Sequence, residues 1–174
     1  MKSRSPWVLL CLVMAGGVAL AAGPHNLRTD LSGFEEVPAN STAASGHLRL
    51  QIFPDNSAIH YELSYSGLES DATQSHIHFG QMSVNGGISV FLCSNLGNGP
   101  AGTQACPARA GTISGMITPG SVVGPAVQGI SPGEFNALLD ALRSDVTYVN
   151  VHSMTFQGGE IRGQIDNGRR GHRD

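Results

Sequence analysis

The chain predicts an all-β domain, a Greek-key-like sandwich or barrel of about eight short strands with one short helix. Three observations carry this expectation. Apolar and polar residues alternate along most of the chain, Gly, Pro and Asn punctuate the alternating runs, and a single stretch departs to helical spacing.

The first strand is expected near Leu27–Phe34. In His47-Leu48-Arg49-Leu50-Gln51-Ile52-Phe53, Leu48, Leu50 and Ile52 share a face, and Pro54-Asp55-Asn56-Ser57 is a turn signal. Ile59, Tyr61, Leu63 and Tyr65 alternate next, so these two runs read as a hairpin. Further strands are expected near Ser75–Phe79, Ile88–Cys93 and Gly111–Ile117. Phe135, Leu138, Leu139 and Leu142 then recur at helical spacing and predict a helix over Ser131–Arg143. Ser131 would cap it, Pro132 would take its first position, and Glu134 would complete a capping box. The last strands, Val146–Ser153 and Glu160–Ile165, form a hairpin around Phe156 that sets His152 opposite Glu160 and Asn150 opposite Arg162. Tyr148, Asn150, His152, Glu160, Arg162 and Gln164 would then line one face and Val149, Val151, Ile161 and Ile165 the other.

Residues 1–22 read as a secretory signal peptide. Lys2 and Arg4 precede an apolar run from Trp7 to about Ala22, with small residues where cleavage would fall. The mature chain then has no transmembrane segment and is secreted or periplasmic. Residues 27–166 have the length of one domain, and 167–174, without an apolar residue, read as a flexible polar tail. Losing Lys2 and Arg4 makes the formal charge of −3 more negative and leaves no lysine, so no basic field is present for nucleic acid. The absence of lysine also excludes a phosphate-cradling Gly-x-x-x-x-Gly-Lys loop, and no Gly-x-Ser-x-Gly nucleophile motif occurs. Cys93 and Cys106 are the two cysteines outside the leader and suit a disulfide in an oxidising compartment.

Function is read chiefly from the histidines. Alternation turns His76 and His78 to one face of their strand while Ile77 and Phe79 turn to the other, and His152 occupies the matching face of its own strand. Three imidazoles on rigid strands suit a transition metal, with copper or zinc as the cofactor. Asn150, Glu160, Arg162 and Gln164 would surround them, and His47 or His60 or a water would complete the set. Metal affinity would fall below about pH 6.5 if the rings titrate ordinarily. The same residues also read as a hydrogen-bonded structural cluster on an adhesion module, whose protein or surface partner the sequence leaves open.

A resemblance covers Asp30 to Ile165. Its elements are Leu31-Ser32-Gly33-Phe34-Glu35-Glu36-Val37-Pro38, Tyr61-Glu62-Leu63, His76-Ile77-His78-Phe79-Gly80, Asn85-Gly86-Gly87, Tyr148-Val149-Asn150-Val151-His152 and Gly159-Glu160-Ile161-Arg162-Gly163-Gln164-Ile165. With these the chain resembles CHRD (chordin-type) domains, which implies a secreted, mostly β domain and says little about its chemistry. His76, His78, His152 and Arg162 are also locally similar to the histidine pattern of copper/zinc superoxide dismutases, which implies a copper-dependent redox activity as a further alternative. The resemblance stops short of a two-metal site, because no histidine lies between Gly80 and Val146.

Overall fold

The structure, a computed structural model, describes residues 25–166, so the expected signal peptide and polar tail lie outside the described residues. Eight strands alternate along the chain: β1 (His25–Ser32), β2 (Ser45–Ile52), β3 (Ile59–Ser66), β4 (Ala72–Phe79), β5 (Gly87–Ser94), β6 (Gly111–Ile117), β7 (Thr147–Ser153) and β8 (Ile161–Ile165). All pair antiparallel in one sheet, in the order β5-β4-β7-β8-β1-β2-β3-β6. The sheet curls into a nearly closed barrel, which decides between the two expected architectures.

The interior follows from period-two burial. Leu48, Leu50 and Ile52 of β2 meet Ile59, Tyr61, Leu63 and Tyr65 of β3, with Ile77, Val149, Val151, Ile161 and Ile165 completing the wall. The helix α1 (Phe135–Arg143) adds Phe135, Leu138, Leu139 and Leu142 to the same core. It starts four residues later than expected. Gly133, at φ 85°, breaks the helical path in a turn, and only half of the anticipated capping box forms, with the Glu134 carboxylate accepting from the Ser131 backbone N–H.

Closure is made at the gap between β5 and β6, the two ends of the sheet. The Tyr61 hydroxyl crosses from β3 to donate to the Leu92 carbonyl of β5 at 2.9 Å. The Gln104 amide bonds the Tyr61 oxygen and also reaches the carbonyls of Leu92 (3.4 Å) and Ser114 (3.2 Å), so one side chain bridges both edges. The Cys93–Cys106 disulfide and the Asn95 amide, which donates to the Ala72 and Cys106 carbonyls, hold the connecting segment in place. These side-chain bonds join edge strands that the sheet order leaves at its two opposite ends.

Strands β1 and β8 approach closely at Gly163. Gly163 lies against the Asp30 carbonyl oxygen and the Thr29 hydroxyl, where a Cβ would collide with both. Substituting Gly163→Val should therefore part β8 from β1 and lower unfolding stability by more than about 2 kcal/mol, the range for overpacking, as read by chemical denaturation. For the disulfide, alkylation of native protein should modify neither Cys93 nor Cys106 before reduction. The double Cys→Ala variant should keep the same circular dichroism but lose about 3 kcal/mol of stability.

Candidate metal centre

β4 and β7 are neighbours, with His76 opposite Asn150, His78 opposite Tyr148 and Gln74 opposite His152. Because Ile77, Val149 and Val151 fill the barrel, the intervening residues His76, His78, Tyr148, Asn150 and His152 turn to its outer face. That face is not solvated. His76 is 1% exposed, Asn150 3%, and His78 and His152 7% each. Shifts in the β4/β5 register at Ser75/His76 and Ile77/His78 adjust the aim of both β4 histidines.

Three connections cover the site. The segment between β4 and β5 folds back so that the Gly86 carbonyl lies 3.0 Å from His78 Nδ1, and a Cβ at Gly86 would strike the Phe79 carbonyl oxygen. The β7–β8 turn brings the Gln157 carbonyl 2.8 Å from His152 Nδ1. The segment after β1 is tied across by Asn40, whose amide donates to the Glu160 carbonyl at 3.0 Å, and by Asn85, which donates to the Val37 carbonyl at 3.0 Å.

The three histidines converge. One ligand atom from each of His76, His78 and His152 lies within 4.8 Å of the other two. The His76 ring stands edge-on to His78 (5.3 Å between centroids), His152 (5.1 Å) and Phe91 (4.5 Å). Neither of its nitrogens has a hydrogen-bond partner although both are buried. A buried polar atom without a partner is uncommon, because desolvation costs about 1–3 kcal/mol when nothing replaces water.

Burial also sets the charge of the cluster. Desolvation pushes His76 far below the ordinary histidine value, reinforced by His152 and His78. It takes His78 down to about 4 against the opposing pull of the Gly86 carbonyl, and it lowers His152 despite the Gln157 carbonyl. All three rings are thus neutral at pH 7, the form that ligates a metal.

Among the residues expected around the histidines, Asn150 is in contact, its Oδ1 lying 3.1 Å from both His78 Nε2 and His152 Nε2. Arg162 pairs opposite Asn150, as the hairpin register predicts. Its guanidinium lies 3.4 Å over the Tyr148 ring, which stacks on His78 at 4.6 Å. It donates to Asn85 Oδ1 (3.2 Å) and to the carbonyls of Gln81 (3.3 Å) and Val84 (3.0 Å), and at 2% exposure it is committed to this loop. Glu160 and Gln164 serve the covering segments. Glu160 accepts from the Thr42 hydroxyl and the Glu69 N–H, both at 2.8 Å, and Gln164 donates to the Gly80 and Asp145 carbonyls, both at 3.1 Å. The ladder begins at Val151 and Ile161, so the expected His152–Glu160 pair is replaced by a single bond from Glu160 N–H to the Val151 carbonyl. His47 and His60 do not join the cluster. They lie on β2 and β3, where they line a shallow groove and His47 bonds Asp30 at 2.7 Å.

Sequence reasoning gave no role to Glu36, which is 5% exposed beside this site. Burial raises its carboxyl to about 7, partly offset by the Val37 N–H, Arg162 and the Asn150 amide. Its place in the Glu35-Glu36-Val37-Pro38 run is visible in the sequence, but nothing local says which of two adjacent glutamates turns inward.

No helix among the described residues is long and apolar enough to cross a membrane. No curated protein and no solved structure matches the chain. Residues 27–165 match the CHRD domain, which takes in every strand of the barrel from the third residue of β1 onward and the whole histidine cluster. On that match the chain belongs to the CHRD domain family.

Proposed function

We propose that this is an exported binding module whose β4–β7 face holds one transition-metal ion, copper or zinc, through His76, His78 and His152. The observation that carries the reading is His76. Two unpartnered nitrogens on a ring that is 1% exposed, one of them a free lone pair in the neutral ring, set among two other neutral imidazoles, suit a cation. The carbonyls at His78 Nδ1 and His152 Nδ1 fix the orientation of those rings, as the outer partners of metal-binding histidines commonly do. Export is supported by the leader-like residues 1–22 and by the Cys93–Cys106 disulfide. On this reading the domain spans 27–166 and the polar tail 167–174.

A second reading keeps the module and makes the histidines structural. The Asn150 carboxamide, in contact with two imidazoles at 3.1 Å each, favours it as the centre of a hydrogen-bonded cluster. Redox turnover is not part of the proposal, since Arg162, the residue that would attract an anion, is spent on the 81–85 segment.

Replacing His76, His78 or His152 singly with Ala should weaken Cu(II) or Zn(II) binding at least about tenfold, measured by chelator competition. Parent-like affinity in the triple variant would establish the structural cluster instead. Acidification gives a second measurement. A histidine held below its unfolded value binds fewer protons folded than unfolded, so stability rises with pH. In metal-free protein, unfolding free energy should therefore fall as pH drops from about 6.5 towards about 4. Glu36, raised to about 7, acts oppositely between its unfolded value and 7, but it is one group against three. Metal release should follow the folded-state values and occur well below the ordinary histidine range, not at about 6.5. A stability profile flat from pH 7 to 4 would contradict the buried neutral cluster.

A further inference from the structure

We infer, on the metal reading above, that the ion held by His76, His78 and His152 is singly charged, Cu(I), and that the site discriminates against divalent ions by their charge. Among the described residues no carboxylate or thiolate joins the three imidazoles. An imidazole ligates as the neutral ring, so the donor set brings no negative charge to the ion. The Gly86 and Gln157 carbonyls can only accept, so in the ligating rings His78 and His152 carry their hydrogen at Nδ1 and present Nε2 as a lone pair. The Asn150 carboxamide, 3.1 Å from both Nε2 atoms, is uncharged whichever way round it sits.

Apart from the histidines, the charged side chains buried among the described residues are Arg162, Glu36 and Glu160. The Arg162 guanidinium lies over Tyr148, the ring stacked on His78, and it donates there to neutral acceptors, Asn85 Oδ1 and the Gln81 and Val84 carbonyls. Glu160 is bonded to the Thr42 hydroxyl and the Glu69 N–H, and Glu36 accepts from the Val37 N–H at 3.3 Å, close against Gly159. Even with both glutamates ionised, the buried groups sum to a single negative charge. One positive charge is then met and a second is not. The cost of burying an ion grows with the square of its charge, so a dication costs roughly four times as much as a monocation of the same size. Water does little to offset this, since His76 is 1% exposed and His78 and His152 7% each, and Phe91 packs an apolar ring against His76. Zn(II) also asks for four donors where the cluster offers three. Of the first-row ions that imidazole suits, copper is the one with an accessible singly charged state.

Affinities for Cu(I) without oxygen, for Cu(II) and Zn(II), and for Ag(I) as a singly charged probe that does not change oxidation state, are measured by chelator competition on the disulfide-bonded chain. Cu(I) and Ag(I) should bind at least about 100-fold more tightly than Zn(II) or Cu(II). Asn150→Asp sets a negative charge against two of the rings and should raise Zn(II) affinity relative to Cu(I) at least about tenfold. Should that variant fail to fold, the ratio of Ag(I) to Zn(II) affinity in the parent decides alone. Zn(II) or Cu(II) bound as tightly as Cu(I) in a His76-dependent way, or an Asn150→Asp protein with the parent's ratio of Cu(I) to Zn(II) affinity, would overturn selection by charge and leave the histidine site standing. Parent-like affinity for every ion in His76→Ala would overturn the histidine reading itself, and the singly charged ion with it.

Discussion

Tyr148, Asn150 and His152 point away from the barrel interior, yet all are buried, because three connections close over the outer face of β7. A strand buried on both faces must satisfy polar side chains that would otherwise bond water. The order of the site follows from that constraint. The Gly86 and Gln157 carbonyls are aimed at ring nitrogens, the Asn150 amide is shared between two histidines, and Arg162 is laid on Tyr148 with three acceptors at its far end. At His76 both ring nitrogens are left without a partner, in the middle of the histidine cluster.

Burial of this face couples charges that are distant in sequence. The Arg162 guanidinium is stacked on Tyr148, Tyr148 is stacked on His78, and the Glu36 carboxyl sits close enough to feel both Arg162 and Asn150. A positive charge over one ring and a carboxyl behind the neighbouring amide hold opposite ends of one network. Removing water from it strengthens each of these interactions and also keeps the imidazoles neutral. The covering loops therefore set the chemistry of the site as well as its shape.

The barrel beneath supplies rigidity. Its one gap, between β5 and β6, is bridged by Gln104 and Tyr61 and anchored by the Cys93–Cys106 bond, and β5 is the strand that pairs with the two β4 histidines. Phe91 of β5 packs edge-on against His76. The seam is thus one strand away from the site, and fixing it fixes the strand on which the unpartnered imidazole leans.

The amino-acid sequence by itself determined the β class, the inward set Leu48, Leu50, Ile52, Tyr61 and Leu63, the Asn150–Arg162 register and the sharing of one face by His76, His78 and His152. All of these follow from period-two alternation, which is a local property of an extended chain. Local pattern also misplaced the start of the helix, since Gly133 takes a positive φ that apolar spacing does not register. What only the tertiary structure decided was which side of the outer face is wet. Alternation marks His47 and His152 alike as polar and outward, but His47 lines an open groove beside Asp30 while His152 lies under the turn that carries Gln157. The same holds for Glu36, Glu160 and Gln164, whose partners at Asn150, Thr42 and Gly80 come from distant segments of the chain. Desolvation depends on which loops come to rest over a residue, and that is settled by long-range packing, not by the residue's neighbours in sequence.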